Sequence, residues 1–322
     1  MPPAAPASIR SSRRGGRGSS SSRTPTSVVT IRSRSPEPLA APICAIHRVG
    51  SEYPEQLRDL GDPPEQLWWC GDSAAMSRPL VAIVGTRRAT AYGLRVTREL
   101  AGALARGGAC IVSGMALGID AAAHQAAIDA AGPTIAVLGN GVDIPYPRAH
   151  ARLHRQIVER GLVMSEMPPG ARSHRGSFIK RNRIIAALAR LTIVVEAPFG
   201  SGALSTAKAA LELGRDLGAV PGQIDSPQSQ GTNELLRDGA QAMTSVDDAL
   251  CLAGLAPQRR AEPRVDDEVE MRVWSALGHG SATLDELCAR SSLPVAQCLT
   301  AVTTLELRGA VECSLTGEIR RR

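Results

Sequence analysis

Four cations surround a single phenylalanine, Phe178, in the segment 175–183. Cations near the start of a helix oppose its dipole by roughly 0.3–1 kcal/mol each, so local stability does not explain them, whereas an anionic ligand does. A base stacked on an aromatic ring contributes about 1–3 kcal/mol while cations follow the phosphates. The segment is therefore typical of a single-stranded nucleic acid site. Its cations are Arg175, Lys180, Arg181 and Arg183.

The same residue types allow a second interpretation of this segment. Phe178 could anchor the core, and the cations could form a solvated rim or pair with Glu166 and Glu196. The residues alone do not decide between the two interpretations.

Small residues follow several apolar runs and point to the same kind of site. Ligands of open parallel sheets bind beyond the carboxyl ends of the strands, where glycine lets a ligand approach the backbone closely. Tight turns between strands and helices also need glycine without any ligand, but several such junctions combined with arginines favour a binding site. The junctions are Gly85-Thr86-Arg87, Ser113-Gly114, Gly139-Asn140-Gly141 and Gly200-Ser201-Gly202.

Signals of catalysis, cofactor binding and metal binding are weak. The nearest match to a dinucleotide fingerprint, GSGALS at 200–205, lacks the third glycine, and no GxxxxGK[ST] loop occurs. Asp120 and His124 stand four residues apart, which could orient an imidazole, although a structural role is favoured for both. The other histidines form no metal-ligand pattern. The seven cysteines include no CxxC pair, which predicts reduced thiols in a cytoplasmic protein without zinc or disulfides.

Alternating apolar runs and helix-length periodic stretches must position these residues. Continuous apolar strands are covered on both faces, and strand–helix alternation predicts a parallel sheet. We therefore expect an α/β fold with an extended Rossmann-like parallel sheet and a small C-terminal winged-helix-like domain. Predicted strands occupy 80–85, 109–114, 134–139, 162–166, 191–197 and 217–222, with helices at 92–106, 119–130, 149–160, from about 181, 203–213 and 232–238.

Composition suggests where these domains begin and end. Residues 1–36 carry seven arginines and no acid, so they cannot bury enough apolar surface to order themselves, although a transit peptide has the same composition. A short helix packing Trp68 and Trp69 on the core is expected ahead of the sheet. The predicted parts are a disordered basic tail (1–42), a lead-in segment (43–75), the Rossmann-like DNA-binding domain (76–250), a linker (251–266) and three helices with a wing (267–322).

The overall charge is a weak indication of a polyanionic partner. The chain of 322 residues has a formal charge of +6 and a pI near 9.2, with Lys180 and Lys208 as its only lysines. Arginine suits phosphate, but an arginine bias also arises in GC-rich genomes. No apolar run approaches the roughly 20 residues that span a bilayer, so no membrane segment is expected.

Long motifs in a fixed order resemble the DNA-processing protein A family, also called DprA or Smf. The resemblance covers about 43–250 and implies a domain that binds single-stranded DNA, forms a homodimer and helps load the RecA recombinase in natural transformation, without enzymatic activity or cofactor. The motifs are VAIVGTRRATAYG, IVSGMALGIDAAAH, TIAVLGNGVDIPYP, SEMPPG, FIKRNRIIAAL, VVEAPFGSGALSTAKAALELGR, AVPG and GTNELLRDGA. The DNA-binding residues that it implies are Gly85, Thr86, Arg87, Ser113, Gly114, Arg175, Phe178, Lys180, Arg181 and Asn182.

The sequence also departs from the family pattern. The family's helical N-terminal domain is missing or reduced to 43–72, and its proline after the phenylalanine is Ile179 here. The third C-terminal helix, 294–308, is poor in cations, so partner docking or a structural role is at least as well supported as duplex reading.

A nucleotide-processing enzyme of the phosphoribohydrolase type is the alternative function. Such enzymes have a similar sheet, but a catalytic glutamate closely follows their glycine turn. Here no glutamate follows the turn before Glu212.

Overall fold

The computed structural model describes residues 41–256, 265, 267–278, 280–314 and 317–321. The chain divides into two compact units near residue 257. The predicted basic tail, apart from its last two residues, and most of the predicted linker lie outside the described residues. No helix within the described ranges has the length and apolarity that crossing a membrane requires.

A nine-stranded sheet forms the centre of the first unit within these ranges. Its strand order is β1-β2-β6-β5-β4-β3-β7-β8-β9, and all neighbours from β6 to β9 are parallel. This confirms the predicted extended Rossmann-like sheet. The strands are β1 (Ile43–His47), β2 (Gln66–Gly71), β3 (Leu80–Val84), β4 (Cys110–Ser113), β5 (Thr134–Leu138), β6 (Leu162–Ser165), β7 (Leu191–Val194), β8 (Asp216–Ala219) and β9 (Gln241–Ala242).

Helices cover both faces of this sheet, which explains why its strands are written as continuous apolar runs. In β3, Val81 and Ile83 pack on the side of α1, α2 and α7, whereas Ala82 and Val84 pack on the side of α4 and α5. The helices are α1 (Ala91–Arg106), α2 (Ile119–Asp129), α3 (Ala151–Arg160), α4 (Arg175–Leu188), α5 (Gly202–Glu212), α6 (Gln230–Arg237) and α7 (Val246–Leu252).

The strand order reverses beside β3 and opens a crevice there. From β3 the chain continues through α1 to β4 on one side, and β7 joins β3 on its other side. The helices after β3 and β7 lie on opposite faces, so the loops at the carboxyl ends of these strands separate. Such switch points are where open α/β sheets bind their ligands.

The lead-in segment differs from the prediction, since it is mainly strand. Trp68 and Trp69 belong to β2, which pairs antiparallel with both β1 and β6 and so extends the sheet. Alternation along the strand sends Trp69 into the core on one face and Trp68 toward the α3 side on the other. The helical content that was expected here is limited to two 3-10 turns, Glu55–Asp59 and Ser73–Ser77.

The second unit has the predicted winged-helix pattern of three helices and a small sheet. Its antiparallel strands have the order β10-β12-β11. Its elements are α8 (Glu268–Leu277), β10 (Ser281–Thr283), α9 (Leu284–Ser291), α10 (Val295–Leu307), β11 (Val311–Cys313) and β12 (Glu318–Arg321).

The boundary of the first unit lies later than predicted. Helix α7 ends at Leu252, and Ala253 is buried in the same hydrophobic cluster as residues of α1 and β3. The first residues of the predicted linker therefore belong to the sheet domain.

Candidate nucleic-acid interface

A cleft of about 720 Å³ lies at the carboxyl ends of β3 and β7. The β3–α1 loop, the β7–α5 junction and α4 form its walls. Six of the predicted DNA-binding residues line it: Gly85, Thr86, Arg87, Phe178, Arg181 and Asn182. Other residues that line the cleft include Arg88, Tyr146, His174, Ser201 and Gly202.

Glu196 fixes both ends of the β3–α1 loop. Its backbone carbonyl accepts a hydrogen bond from the Thr86 N–H at 2.7 Å. Its carboxylate accepts from the Thr90 N–H at 2.9 Å and from the Thr90 hydroxyl. Gly85 is required beside it, since a Cβ there would lie 2.6 Å from the Ile119 side chain and 2.9 Å from the Glu196 carbonyl oxygen. These contacts tie the loop to the end of β7, and Arg87 is exposed at the cleft.

Arg87 lies over an aromatic pair. Its guanidinium carbon is 5.4 Å from the centroid of the Phe178 ring, within the range of a cation–π contact. The Phe178 and Tyr146 rings have centroids 5.1 Å apart and are tilted by 33°. Phe178 is half-buried, whereas Tyr146 is 42 % exposed. The cleft thus combines a guanidinium with two accessible rings, which are groups that bind phosphates and bases.

Tyr146 also lines the cleft, although it is not among the residues predicted from the sequence. It lies on the β5–α3 connection, after the Gly139-Asn140-Gly141 junction that was recognised. The signal was an aromatic residue shortly after the carboxyl end of a predicted strand.

Arg181 is buried rather than held out toward solvent. It is 6 % exposed, and its Nη1 donates to the carbonyl oxygen of Gly114 at 2.9 Å and to that of Val137. Burial lowers the pKa of Arg181 to about 10, and the negative charge of Asp120 opposes that shift. The guanidinium forms part of the cleft floor, and its hydrogen bonds are used within the fold.

Lys180 and Arg183 confirm part of the second interpretation, because both pair with Glu166. The Lys180 Nζ is 3.1 Å and the Arg183 Nη2 is 2.7 Å from the same oxygen, Oε1. Glu196, which was also considered as a partner, binds Thr90 instead. Lys180 does not line the cleft itself but a neighbouring pocket of about 230 Å³.

The remaining predicted residues mainly support this architecture. Ser113 is fully buried, and its hydroxyl donates to the Ile83 carbonyl oxygen at 2.6 Å, so its side chain does not reach the cleft. Gly114 leaves room for Arg181, whose Nη2 would lie 2.5 Å from a Cβ. The Asn182 amide links α4 to α5 by donating to the Gly202 carbonyl oxygen at 3.1 Å. Helix α4 begins at Arg175 rather than near the predicted residue 181, so Lys180, Arg181 and Arg183 lie inside the helix and not at its start. The side chain of Arg175 lies outside the described part of the structure.

Asp120 and His124 do not form a catalytic pair. The Asp120 carboxylate accepts from the backbone N–H groups of Gly114 and Ala116 at 3.2 and 3.4 Å, and burial raises its pKa. The His124 ring is fully buried with Nδ1 2.7 Å from the Thr134 hydroxyl, and burial lowers its pKa to about 3. Both side chains therefore make hydrogen bonds within the fold, each with a different partner. The described residues contain no group of three or more acidic, histidine or cysteine side chains that could hold a metal ion.

The depressed pKa of His124 predicts loss of stability in acid. The unfolded chain binds a proton at this imidazole below about pH 6.5, whereas the folded chain does not until pH falls to about 3. This contribution to the free energy of unfolding should therefore fall by about 2 kcal/mol between pH 7 and pH 5. Urea unfolding of the wild type and His124→Gln at both pH values measures it. The change in unfolding free energy between pH 7 and pH 5 should be smaller by that amount in the variant than in the wild type. An equal change in both proteins would contradict a neutral buried imidazole.

Comparison with protein families agrees with this geometry. The family model for DNA recombination-mediator protein A matches residues 45–253, and that for the DprA winged helix domain matches residues 256–314. These ranges cover most of the two units described above.

Individual relatives and solved structures agree as well. The chain is 44 % identical over 268 residues to a putative DNA processing protein DprA of Mycobacterium tuberculosis, covering 80 % of this chain and 69 % of the relative. It is 36 % identical over 281 residues to protein Smf of Escherichia coli, covering 84 % and 75 %. The structure of DprA from Streptococcus pneumoniae matches with a TM-score of 0.62 and 40 % identity, covering 64 % of this chain and 73 % of that one.

A second solved structure comes from a relative described for how it binds single-stranded DNA. DNA processing protein A from Helicobacter pylori, described for its unique single-stranded DNA binding mode, matches with a TM-score of 0.59 and 35 % identity. The match covers 64 % of this chain and 93 % of that one. Because a family model matches well over half of the chain and the motif resemblance agrees with it, the chain belongs to the DNA-processing protein A (DprA/Smf) family.

Proposed function

We propose that the chain binds single-stranded DNA in the cleft at the carboxyl ends of β3 and β7. The observation that carries this proposal is the arrangement of Arg87, Phe178 and Tyr146, with the guanidinium 5.4 Å from one ring centroid and the two ring centroids 5.1 Å apart. In the proposed complex Arg87 contacts phosphate and the rings stack on bases, so binding depends on salt and little on sequence. The described binding mode of the Helicobacter pylori relative supports this function.

The wider role that we infer is protection of incoming DNA and loading of RecA by a homodimer during natural transformation or recombination. Its support is the family membership. In this role the sheet domain holds the strand, and the RecA recombinase is the protein partner.

For the winged-helix unit we propose partner docking or a structural role rather than duplex binding. Each arginine described in this unit is engaged internally, so its charge is partly neutralised or its donors are used. Arg308 pairs with Glu270 at 2.7 Å, and Arg321 lies 4.1 Å from the Trp274 ring centroid. Arg272 donates to the carbonyl oxygens of Ser291 and Ser292, Arg290 pairs with Glu286, and Arg320 pairs with Glu312.

We further propose that the cleft binds rather than catalyses. Among the described residues that line the cleft, Asp120 carries the one carboxylate, and its Oδ2 accepts hydrogen bonds from the backbone N–H groups of Gly114 and Ala116. Glu212, the first glutamate after the glycine turn, is exposed at the end of α5 and lies 3.7 Å from Lys208. Incubation with nucleoside monophosphates should release no free base, and base release would favour the phosphoribohydrolase-type alternative.

Replacement of Arg87 by alanine tests the proposed DNA site. We expect about tenfold weaker binding to a labelled oligothymidylate, because a phosphate contact and the cation–π contact are lost. The slope of log K against log salt should fall by about 0.7, as one phosphate contact fewer releases fewer counterions. Fluorescence anisotropy across a salt series measures both quantities.

Arg78→Ala is the matched control for this experiment. Arg78 is an exposed arginine that precedes β3, whereas Arg87 follows it, so the two lie at opposite ends of one strand. Affinity should change less than twofold in the control. If both variants lose the same affinity, or if neither loses any, the DNA does not bind in the proposed cleft.

A further inference from the structure

Glu166 pairs with two of the four cations in the segment 175–183. A single carboxylate oxygen, Oε1, is 3.1 Å from the Lys180 Nζ and 2.7 Å from the Arg183 Nη2. Asp62 contributes weakly, with its Oδ2 at 3.9 Å from both cations and its side chain 80 % exposed. In the free protein Lys180 is therefore already paired.

The two ion pairs of Glu166 differ in how easily they can be broken. The side chain of Lys180 is 56 % exposed, whereas those of Arg183 and Glu166 are 18 % and 22 % exposed. Exposed pairs contribute little to stability, while partly buried charges need a partner. If Lys180 leaves, Arg183 still holds the carboxylate at the shorter distance, so no charge is left unpaired. Lys180 is thus the exchangeable cation of this cluster.

The position of Lys180 places this exchange beside the cleft. Lys180 and Glu166 line the pocket of about 230 Å³, which shares His174 and Arg181 with the larger cleft. The start of α4 also borders this pocket, and helix N-termini favour anions. A strand that lies in the cleft and extends past His174 would therefore enter this pocket.

We propose that Glu166 is an internal counterion that a DNA phosphate replaces. On binding, Lys180 exchanges the Glu166 carboxylate for a phosphate oxygen, and Glu166 remains on Arg183. This inference rests on the proposed single-stranded DNA binding and adds Glu166 to that site as a residue that limits affinity. Its consequence is that Lys180 contributes less to binding in the wild type than its charge would allow.

A double-mutant cycle at Glu166 and Lys180 tests this proposal. Glu166→Gln should bind oligothymidylate about three- to fivefold more tightly, because Lys180 no longer loses an ion pair on binding. Lys180→Ala should weaken binding more in the Glu166→Gln background than in the wild type. The chain supplies a matched control in its other lysine–glutamate pair, Lys208 and Glu212, which are 3.7 Å apart and away from the cleft. Glu212→Gln should leave the affinity unchanged.

A measurement on the wild type does not depend on how the variants fold. The chain has only two lysines, so an NMR spectrum of protein labelled with ¹⁵N-lysine contains side-chain ammonium signals from Lys180 and Lys208 alone. Addition of oligothymidylate should shift the Lys180 signal and leave that of Lys208 in place. The exchange is refuted, while the DNA site stands, if the wild type binds oligothymidylate but the Lys180 signal does not move. It is also refuted if Glu166→Gln increases the affinity by the same factor when Lys180 is already replaced by alanine. If the wild type does not bind at all, the proposed function itself fails.

Discussion

The Arg181→Met variant is expected to lose about 3–5 kcal/mol of unfolding free energy. Its Nη1 donates to the carbonyl oxygens of Gly114 and Val137, which methionine would leave without a donor inside the fold. Each such unpaired buried group costs about 1–3 kcal/mol. Asp120, which is 6 % exposed, would also lose its compensating charge. Urea unfolding followed by tryptophan fluorescence measures the change, since Trp68 and Trp69 lie in the same unit.

Two further variants separate the buried hydrogen bonds from charge in general. Arg181→Lys keeps a cation near Asp120 and should recover part of the loss. Arg190→Met removes an arginine whose side chain is 71 % exposed at the amino ends of the strands, and it should change stability by less than about 0.5 kcal/mol. Wild-type stability in Arg181→Met would mean that this guanidinium is available to a ligand rather than used by the fold.

The Phe178→Leu variant is expected to weaken single-stranded DNA binding by about 1–3 kcal/mol, or roughly 5- to 150-fold. Leucine keeps an apolar side chain against Gly139, where Phe178 is packed, but it removes the ring on which a base would stack. It also removes the cation–π contact that holds Arg87 over the cleft. Fluorescence anisotropy with a labelled oligothymidylate measures the loss, and urea unfolding shows whether the fold is kept.

Two aromatic controls make the result specific to this ring. Phe178→Trp should retain most of the affinity, because indole offers an equal or larger stacking surface. Phe199→Leu changes the chain's only other phenylalanine, which is 78 % exposed and does not line the cleft, and it should have little effect. An equal loss of affinity in Phe199→Leu would mean that Phe199, on the β7–α5 connection, also stacks on bases.

The central sheet could be predicted because its strands are buried on both faces. A short apolar run such as LVAIVG, followed by a helical period, indicates a buried strand and the helix after it. The observed bounds of β3 and α1 lie within one residue of the predicted ones. The winged-helix unit was predictable because three helical periods follow one another there and the third ends at Gly309.

The β1–β2 pair was not predictable because its pairing depends on a distant strand. The pattern of Leu67, Trp68, Trp69 and Cys70 is short, and it becomes a strand by pairing with β6, nearly 100 residues later in the chain. Short apolar segments do not distinguish helix from strand by periodicity.

The site was only partly predictable because exposure depends on tertiary packing. Glycine junctions and arginines identified the β3–α1 loop and α4, which do line one cleft. Whether Arg181 faces solvent or the strand ends is decided by how α4 lies across β4 and β5, and the sequence period does not define that angle. Tyr146 was missed for the same reason, since its closeness to Phe178 depends on the path of the β5–α3 connection.

The far edge of the large sheet has a consequence for self-association. Strand β9 consists of only two residues, Gln241 and Ala242, so it offers few unpaired backbone groups to another chain. Long exposed edges are templates for aggregation, and shortening the last strand is one protection against it. At this end of the molecule, two copies of the chain would therefore be expected to meet through side chains rather than by merging their sheets into one.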